Sequence, residues 1–352
     1  METERQLDGR ILDLRVGIAG FGLAGSVFHA PLISAVEGLE THAVLTRSPQ
    51  RVAQVKAAYP GVRIVAELDD LLRDIDILVV ATPNSSHMPI ALAGLERGLA
   101  VVVDKPLAPS AAEARHLLQA GGRLTVFHNR RWDGDFLTVQ RLLREQALGD
   151  VVRFESRFER FRPVVDTSRW RELADPSEGG GLLLDLGIHL VDQAVQLFGE
   201  PVAVYAELDK RREGAQVEDD VFIALEHAGS VRSHLWMSQA APAQDPRLRV
   251  RGLRGGFASD GLDPQESQLA AGMHPRDPGY GLAPAGRLDG QPVELERGRY
   301  DEFYTGVRDW ARGAAPAPVD PADSIRVLEI LEAARHSSSQ CAVVTEFGPP
   351  HE

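Results

Sequence analysis

Apolar positions in the first third of the chain fall into short runs separated by stretches of helical period. "LRVGIAG" is an apolar, β-branched run stopped by glycine, and "AGSVFHAPLISAVEG" continues it as a helix ending at Gly38. "THAVLT" reads as a second strand. "SPQRVAQVKAAYPG" reads as a helix opened by Ser48 and Pro49 and closed by Gly61. "VRIVAE", "DIDILVVATP", "LAVVVDKP" and "RLTVFHN" are four further strands, with "MPIALAGLERG" and "SAAEARHLLQAGG" as helices between the later ones. The fourth run is almost entirely apolar, as a parallel strand covered on both faces should be. Strand–helix alternation at this spacing implies right-handed crossovers and predicts a doubly wound parallel sheet within residues 1–129.

The pattern changes after Asn129. A helix over "DGDFLTVQRLLREQALGD" leads into strand-like alternation in "VVRFESRFERFRP". One helical segment, "GGLLLDLGIHLVDQAVQLFG", interrupts before strand-like runs return in "VAVYAELDKRR", "DDVFIALEHAG", "SVRSHLWMSQ" and "PRLRVRGLRGGFASD". Strands with few helices between them predict an α+β domain over 130–352, built on a large, mostly antiparallel open sheet. Residues 254–298, rich in Gly and Pro, read as long surface loops that help select a substrate. "ADSIRVLEILEAARHS" predicts a terminal amphipathic helix over about 321–339.

Composition narrows the function. A net charge of −13 disfavours nucleic acid or an anionic membrane as the main partner. No apolar stretch approaches the ~20 residues of a membrane span. The N-terminal "METERQLDGRILD" has no apolar core of a signal peptide, so the expectation is a cytoplasmic protein. Cys341 is the single cysteine, which excludes an internal disulfide and a multi-cysteine metal site; no metal is expected.

The first candidate chemistry is Gly20-Phe21-Gly22-Leu23-Ala24-Gly25, the GxGxxG spacing between a strand and a helix. Such glycines allow a tight turn and close backbone approach to a dinucleotide pyrophosphate, so the first domain reads as a Rossmann domain; an unliganded tight turn is the alternative. The second strand ends in Thr46, Arg47 and Ser48, which offer a cation and hydroxyls. No carboxylate stands there to repel a 2′-phosphate, which favours NADP, with NAD possible. A merely solvated Arg47 is the bland reading.

Lys105 is one of three lysines, with Lys56 and Lys210, among 38 basic residues. It stands at the end of the fifth strand, the edge where ligands bind in open α/β sheets. Pro106 biases it toward extended geometry and admits a cis bond. In the second domain, Asp185 and His189 are four apart on one helical face among leucines, with Asp192 a turn further on. A snorkelling lysine and a satisfied core histidine are the structural alternatives. Together, however, an ammonium to stabilise an alkoxide and a histidine to take a proton meet the needs of reversible hydride transfer from an alcohol.

The strand–GxGxxG–helix start, "ATPNSSH" after the fourth strand, "DKP" after the fifth and "GGGLLLDLGIHLVD" together resemble the Gfo/Idh/MocA oxidoreductase family. The family pattern after the fifth strand is Glu-Lys-Pro; here Asp104 replaces the Glu. "GSVFHAPLI", "HNRRWDGDFLTVQRLL", "SRWRE" and "YDEFYTGVRDWARG" are similar to the NADP-dependent scyllo-inositol dehydrogenase branch, and the likeness covers about residues 14–345.

The resemblance implies that His189 is the general base, that Lys105 holds the reacting hydroxyl and that Asp185 orients the substrate, a cyclitol or sugar-like polyol. It implies a cofactor-side loop of Thr82, Pro83, Asn84 and His87, with Asp104, Lys105 and Asn129 at neighbouring strand ends. Arg130, Arg131 and Trp132 are either an inter-domain anchor or substrate contacts. Arg169 and Trp170 are expected to reach the cofactor cleft. It also implies a homodimer or homotetramer formed through the open face of the second sheet. A reductase of another keto-sugar or lactone, and a non-catalytic NADP-binding regulator, are the competing readings.

Overall fold

The computed structural model describes residues 6–7, 10–11, 13–166, 172, 179–243 and 245–347. The first sheet has six parallel strands: β1 (Leu14–Ala19), β2 (Leu39–Leu45), β3 (Arg63–Val65), β4 (Ile77–Val80), β5 (Ala100–Asp104) and β6 (Arg123–Phe127). Their order is β3-β2-β1-β4-β5-β6, the doubly wound arrangement. β4 and most of β5 are fully buried, as their uninterrupted apolar runs require. The order in which strands are added reverses between β1 and β4, and the crevice at their carboxyl ends is the ligand edge of such a sheet.

The helices start where their capping residues predict. α2 (Pro49–Ala58) has Ser48 as its cap and proline at its first position. α5 (Ala111–Gln119) is capped by Ser110, whose hydroxyl accepts the Glu113 amide at 3.2 Å and donates to the Glu113 carboxylate at 3.1 Å. The helix after the glycine loop differs from expectation. It opens as a wide π-turn, Ala24–His29, continues as α1 (Ala30–Ala35), and Val36 is already extended before Gly38. Between these lie two more helices of the first domain, α3 (Leu68–Leu71) and α4 (His87–Glu96).

α6 (Gly134–Arg144) leads to an eight-stranded sheet. Its strands are β7 (Val151–Glu159), β8 (Pro201–Asp209), β9 (Asp220–His227), β10 (Arg232–Ser238), β11 (Leu248–Gly252), β12 (Gly256–Ser259), β13 (Gly286–Leu288) and β14 (Gln291–Val293). The order is β8-β9-β10-β7-β11-β12-β13-β14, antiparallel except for the parallel pair β10–β7. α7 (Ile188–Phe198) covers one face, led in by a second π-turn, Leu183–Gly187.

Residues 254–298 are more structured than the loops expected from their Gly and Pro content. They form β12 to β14 and α8 (Gln265–Ala270), and they brace the first domain. His274 Nε2 lies 3.4 Å from Ser34 Oγ, and Arg276 Nε donates to Ala35 O at 2.8 Å. The fully buried Gln265 donates to Trp132 O and accepts the Tyr300 amide. Short strands and a six-residue helix carry too little periodicity to be read from sequence.

α9 (Tyr300–Ala311) buries Tyr300, Phe303, Tyr304, Val307 and Trp310. α10 (Pro321–Gln340), capped by Asp320, matches the predicted terminal helix. Both pack against the first domain. Thr125 on β6 donates to Val319 O at 2.7 Å, and Arg115 pairs with Glu329 at 2.8 Å. No helix among the described residues is long and apolar enough to cross a membrane.

Candidate active site

The glycine loop explains two of its three glycines by packing. Gly20 has φ +95°, and a Cβ there would sit 2.6 Å from Ala81 O on the neighbouring strand end. At Gly25 a Cβ would lie 2.3 Å from Gly20 O, so the loop closes only with glycine. Gly22 is different. The three nearest atoms to a Cβ there all belong to the Arg51 guanidinium, the closest at 3.5 Å. Open backbone with a cation beside it, at the start of a helical segment, fits a phosphate group. Leu23 next to it is 63% exposed, so the loop faces solvent.

At the end of β2 the structure corrects the sequence reading. Arg47 does not stand free of carboxylates: its guanidinium donates to Glu67 at 3.1 and 3.2 Å and to Ala66 O at 3.0 Å. β3 runs beside β2 with Val65 opposite Leu45, so the second residue past β3 meets the second residue past β2. The sequence window around Arg47 cannot reveal that neighbour. Thr46 is buried and its hydroxyl accepts the Ser48 amide at 3.4 Å, while Ser48 caps α2. Arg51 was missed. It lies in the first turn of α2, makes no side-chain hydrogen bond or ion pair among the described residues, and overhangs Gly22. The Ser48–Pro49 start signal, extended by one helical turn, is the clue that points to it.

The loop after β4 is tied down from within. His87 is buried, with Nδ1 2.8 Å from Pro106 O and Nε2 2.9 Å from Thr82 O. Both are acceptors, so a neutral ring donates to one of them at a time. Its ring therefore joins the loops after β4 and β5, leaving no ring nitrogen for direct contact with a cofactor. Pro83 precedes a short turn, Asn84–Ser86, and Asn84 Nδ2 donates to Gly179 O at 3.3 Å. Asn129 is buried at the end of β6. Arg169 and Trp170 lie outside the described residues.

The catalytic candidates meet across the two domains. The Lys105–Pro106 bond is cis. Lys105 Nζ donates to Asp185 O at 2.7 Å and to Asp185 Oδ1 at 3.0 Å. The Lys105 side chain is 15% exposed and that of Asp185 30%, so the pair is shielded yet reachable. His189, one turn beyond Asp185, is 4% exposed, and its Nδ1 has no hydrogen-bond partner. Burial, then the charges of Lys105 and Arg130, hold its pKa well below the ordinary histidine value. It is therefore neutral near pH 7 and able to accept a proton. Asp192 is not part of this group. Arg131 grips it with two bonds, at 2.9 and 2.6 Å, and also pairs with Asp323. Arg130 is buried against Tyr300, Asp133 and Glu266. All of these partners lie within residues 130–352, so the two arginines tie α7, α9 and the start of α10 together inside the second domain.

Residues 14–126 match the domain described as "Oxidoreductase family, NAD-binding Rossmann fold", and residues 136–258 match the GFO/IDH/MocA C-terminal domain. YdgJ of Escherichia coli (strain K12), described as an uncharacterized oxidoreductase, is 41% identical over 94% of this chain and 99% of its own. The chain belongs to the Gfo/Idh/MocA oxidoreductase family. Among other members, the scyllo-inositol 2-dehydrogenase (NADP(+)) IolW of Bacillus subtilis (strain 168) is 35% identical over 93% of this chain and 94% of its own. The solved structure of yvaA from Bacillus subtilis superposes with a TM-score of 0.90 at 32% identity, covering 96% of this chain and 99% of that one. This Gfo/Idh/MocA member is thus an oxidoreductase with a dinucleotide-binding Rossmann domain and inositol dehydrogenases among its relatives.

Proposed function

We propose that the protein is an NADP-dependent dehydrogenase that acts reversibly on a secondary hydroxyl of a cyclitol or sugar-like polyol. The observation that carries this is the Lys105–Asp185 contact at the ligand edge of the dinucleotide-binding sheet, with the buried His189 one turn further along the helix. The nicotinamide supplies the two-electron acceptor. His189 takes the hydroxyl proton, as a neutral imidazole can. The Lys105 ammonium donates to the same oxygen and offsets the negative charge that grows on it. Asp185 holds Lys105 in direction and accepts a neighbouring hydroxyl of the polyol. Gly22 and its flanking amides receive the pyrophosphate.

NADP preference is supported by Arg51 at the start of α2, and by the NADP(+)-dependent relative from B. subtilis. The polyol class is supported by the inositol dehydrogenases among the relatives. A second copy of the chain is the proposed partner. Phe222, His234 and Trp236 cluster in edge-to-face and tilted contacts on the sheet, with the Arg157 guanidinium 3.9 Å above the Trp236 ring, which suits a sheet-to-sheet contact. The test is a screen of inositols, aldoses and keto-sugars with NADP⁺ and NADPH, followed at the nicotinamide absorbance. Turnover of a polyol with NADP⁺ is expected. Absence of turnover with every candidate, or turnover with NAD⁺ alone, would overturn the reading.

A further inference from the structure

The loop after β4 reaches both partners of the Lys105–Asp185 contact from behind. On its inner side, His87 Nδ1 lies 2.8 Å from Pro106 O, the carbonyl that follows Lys105 in the chain. The other ring nitrogen lies 2.9 Å from Thr82 O, at the start of the same loop. His87 is buried, so both contacts are shielded from bulk water. Ser86 closes the loop on itself: its Oγ donates to Pro83 O at 2.7 Å and lies 2.9 Å from Thr82 Oγ1. A loop held at this many points moves as a unit.

On its outer side the loop crosses to the second domain. Asn84, also buried, donates through Nδ2 to Gly179 O at 3.3 Å. The packing there is close: a Cβ on Gly179 would lie 2.4 Å from Asn84 Nδ2 and 2.9 Å from its Cβ. Gly179 opens the stretch that leads into the π-turn Leu183–Gly187. Glu218 walls the far side of this stretch. A Cβ on Gly181 would lie 2.3 Å from Glu218 Oε1, Glu218 O accepts the Leu182 amide at 3.1 Å, and Arg335 on α10 donates to Oε1 at 2.8 Å. Gly181 O then accepts the Asp185 amide at 3.2 Å. Asp185 brings the path back to its origin, because Lys105 Nζ donates to it twice. Hydrogen bonds and short pieces of backbone thus close a ring through Lys105, Pro106, His87, Asn84, Gly179, Gly181 and Asp185.

We infer that Asn84 and His87 are positioning residues for the Lys105–Asp185 pair. His87 holds the strand end that bears the lysine, Asn84 holds the segment that bears the carboxylate, and the loop between them sets the gap. A long lysine side chain has much rotamer freedom to lose, and a fixed partner removes it before substrate arrives. The competing role for Asn84 is direct contact with a dinucleotide, so the decisive measurement uses cofactor-free protein. The kinetic part of this inference rests on the dehydrogenase reading; the structural part does not.

The small number of lysines makes the test direct. Protein labelled with ¹³C,¹⁵N-lysine gives three sets of signals, from Lys56, Lys105 and Lys210. Asn84 makes no hydrogen bond to Lys105 among the described residues, so any effect between them travels around the ring. In cofactor-free Asn84→Ala the Cε signal of Lys105, next to Nζ, is expected to move while those of Lys56 and Lys210 stay in place. Asn84→Asp, which keeps the shape and loses the donor, should do the same and serves if the alanine variant fails to fold. His87→Gln, which cannot span both carbonyls, should move the Lys105 amide signal as well. With scyllo-inositol and NADP⁺, kcat should fall about tenfold in each variant, since a misplaced catalytic group costs rate rather than binding, and the Kd for NADP⁺ should hold. A Lys105 Cε signal that stays put in the folded Asn84 variants overturns the inference. Unchanged kcat also overturns it, and weaker NADP⁺ binding alongside would leave Asn84 a cofactor contact only. If the wild type turns over no polyol, the dehydrogenase reading falls and the cofactor-free spectra alone decide the positioning link.

Discussion

Replacing His128 by glutamine should change how stability depends on pH, and the sign decides between two accounts of that residue. His128 follows β6 and is 1% exposed; Nε2 lies 2.8 Å from Ser324 Oγ, and Nδ1 lies 3.7 Å from Asp192 Oδ2. An imidazolium paired with Asp192 would have a raised pKa. Burial alone lowers it. Asp192 already receives two N–H groups from Arg131, and the Arg131 charge also opposes protonation of His128. Burial therefore wins and brings His128 down to about 4.

The linkage sign follows. A histidine with a depressed folded pKa contributes stability that is fully present above its unfolded value of 6.5, and it is lost as pH falls from 6.5 through about 4. The whole window is worth about 3.4 kcal/mol, and the stretch from about pH 7.5 to about pH 5 roughly 2 kcal/mol. Urea unfolding of wild type and His128→Gln, followed by circular dichroism at those two pH values, measures it. The wild type's advantage should shrink by about 2 kcal/mol at the lower pH. A constant advantage, or one that grows on acidification, would refute burial as the dominant effect and restore the ion pair.

Other substitutions test the site. Lys105→Met should lower kcat by about 10²–10⁴, with cofactor affinity nearly unchanged in a titration; Lys105→Arg should fail to restore it, because its planar fork does not converge on one oxygen. Arg51→Ala should weaken NADP binding by about 1.5–3 kcal/mol and NAD binding by less, since only NADP adds a 2′-phosphate to the shared pyrophosphate. Glu67→Gln, which releases Arg47, should tighten NADP, and fluorescence titrations of each nucleotide check both changes. Gly25→Ala should destabilise by about 1–3 kcal/mol in chemical denaturation, because its Cβ meets the Gly20 carbonyl. Gly22→Ala should unfold like wild type and bind the dinucleotide less well, since its Cβ points at the movable end of Arg51.

The sequence showed most clearly what depends on local period. The buried parallel strands announce themselves as unbroken apolar runs, and Ser48–Pro49 and the segment opening at Ser110 mark helix starts that the structure reproduces. What stayed hidden depends on neighbours distant in sequence. The residues 254–298 looked like loops because their strands are short, yet their contacts reach α1 across some 240 residues of chain. The π-turns at Ala24–His29 and Leu183–Gly187 were read as ordinary helix, since one extra residue in a turn leaves the apolar stripe almost intact.

That second π-turn bears on the chemistry. In a regular helix each carbonyl is aligned with the amide four residues on, and side chains at i and i+4 share a face. The wider turn breaks this pattern at the residue whose carbonyl and carboxylate both accept from Lys105. One ammonium thereby meets two oxygens of a single residue, a convergent target that suits a compact charge with rotatable donors better than a rigid fork. It also explains why the chain, which uses arginine almost everywhere else, keeps a lysine at this strand end. On the proposed dehydrogenase reading, Lys105 bonds to Asp185 while the site waits and redirects a proton toward a substrate oxygen when one arrives. A guanidinium held in bidentate fashion, as Arg131 is by Asp192, would be anchored rather than available.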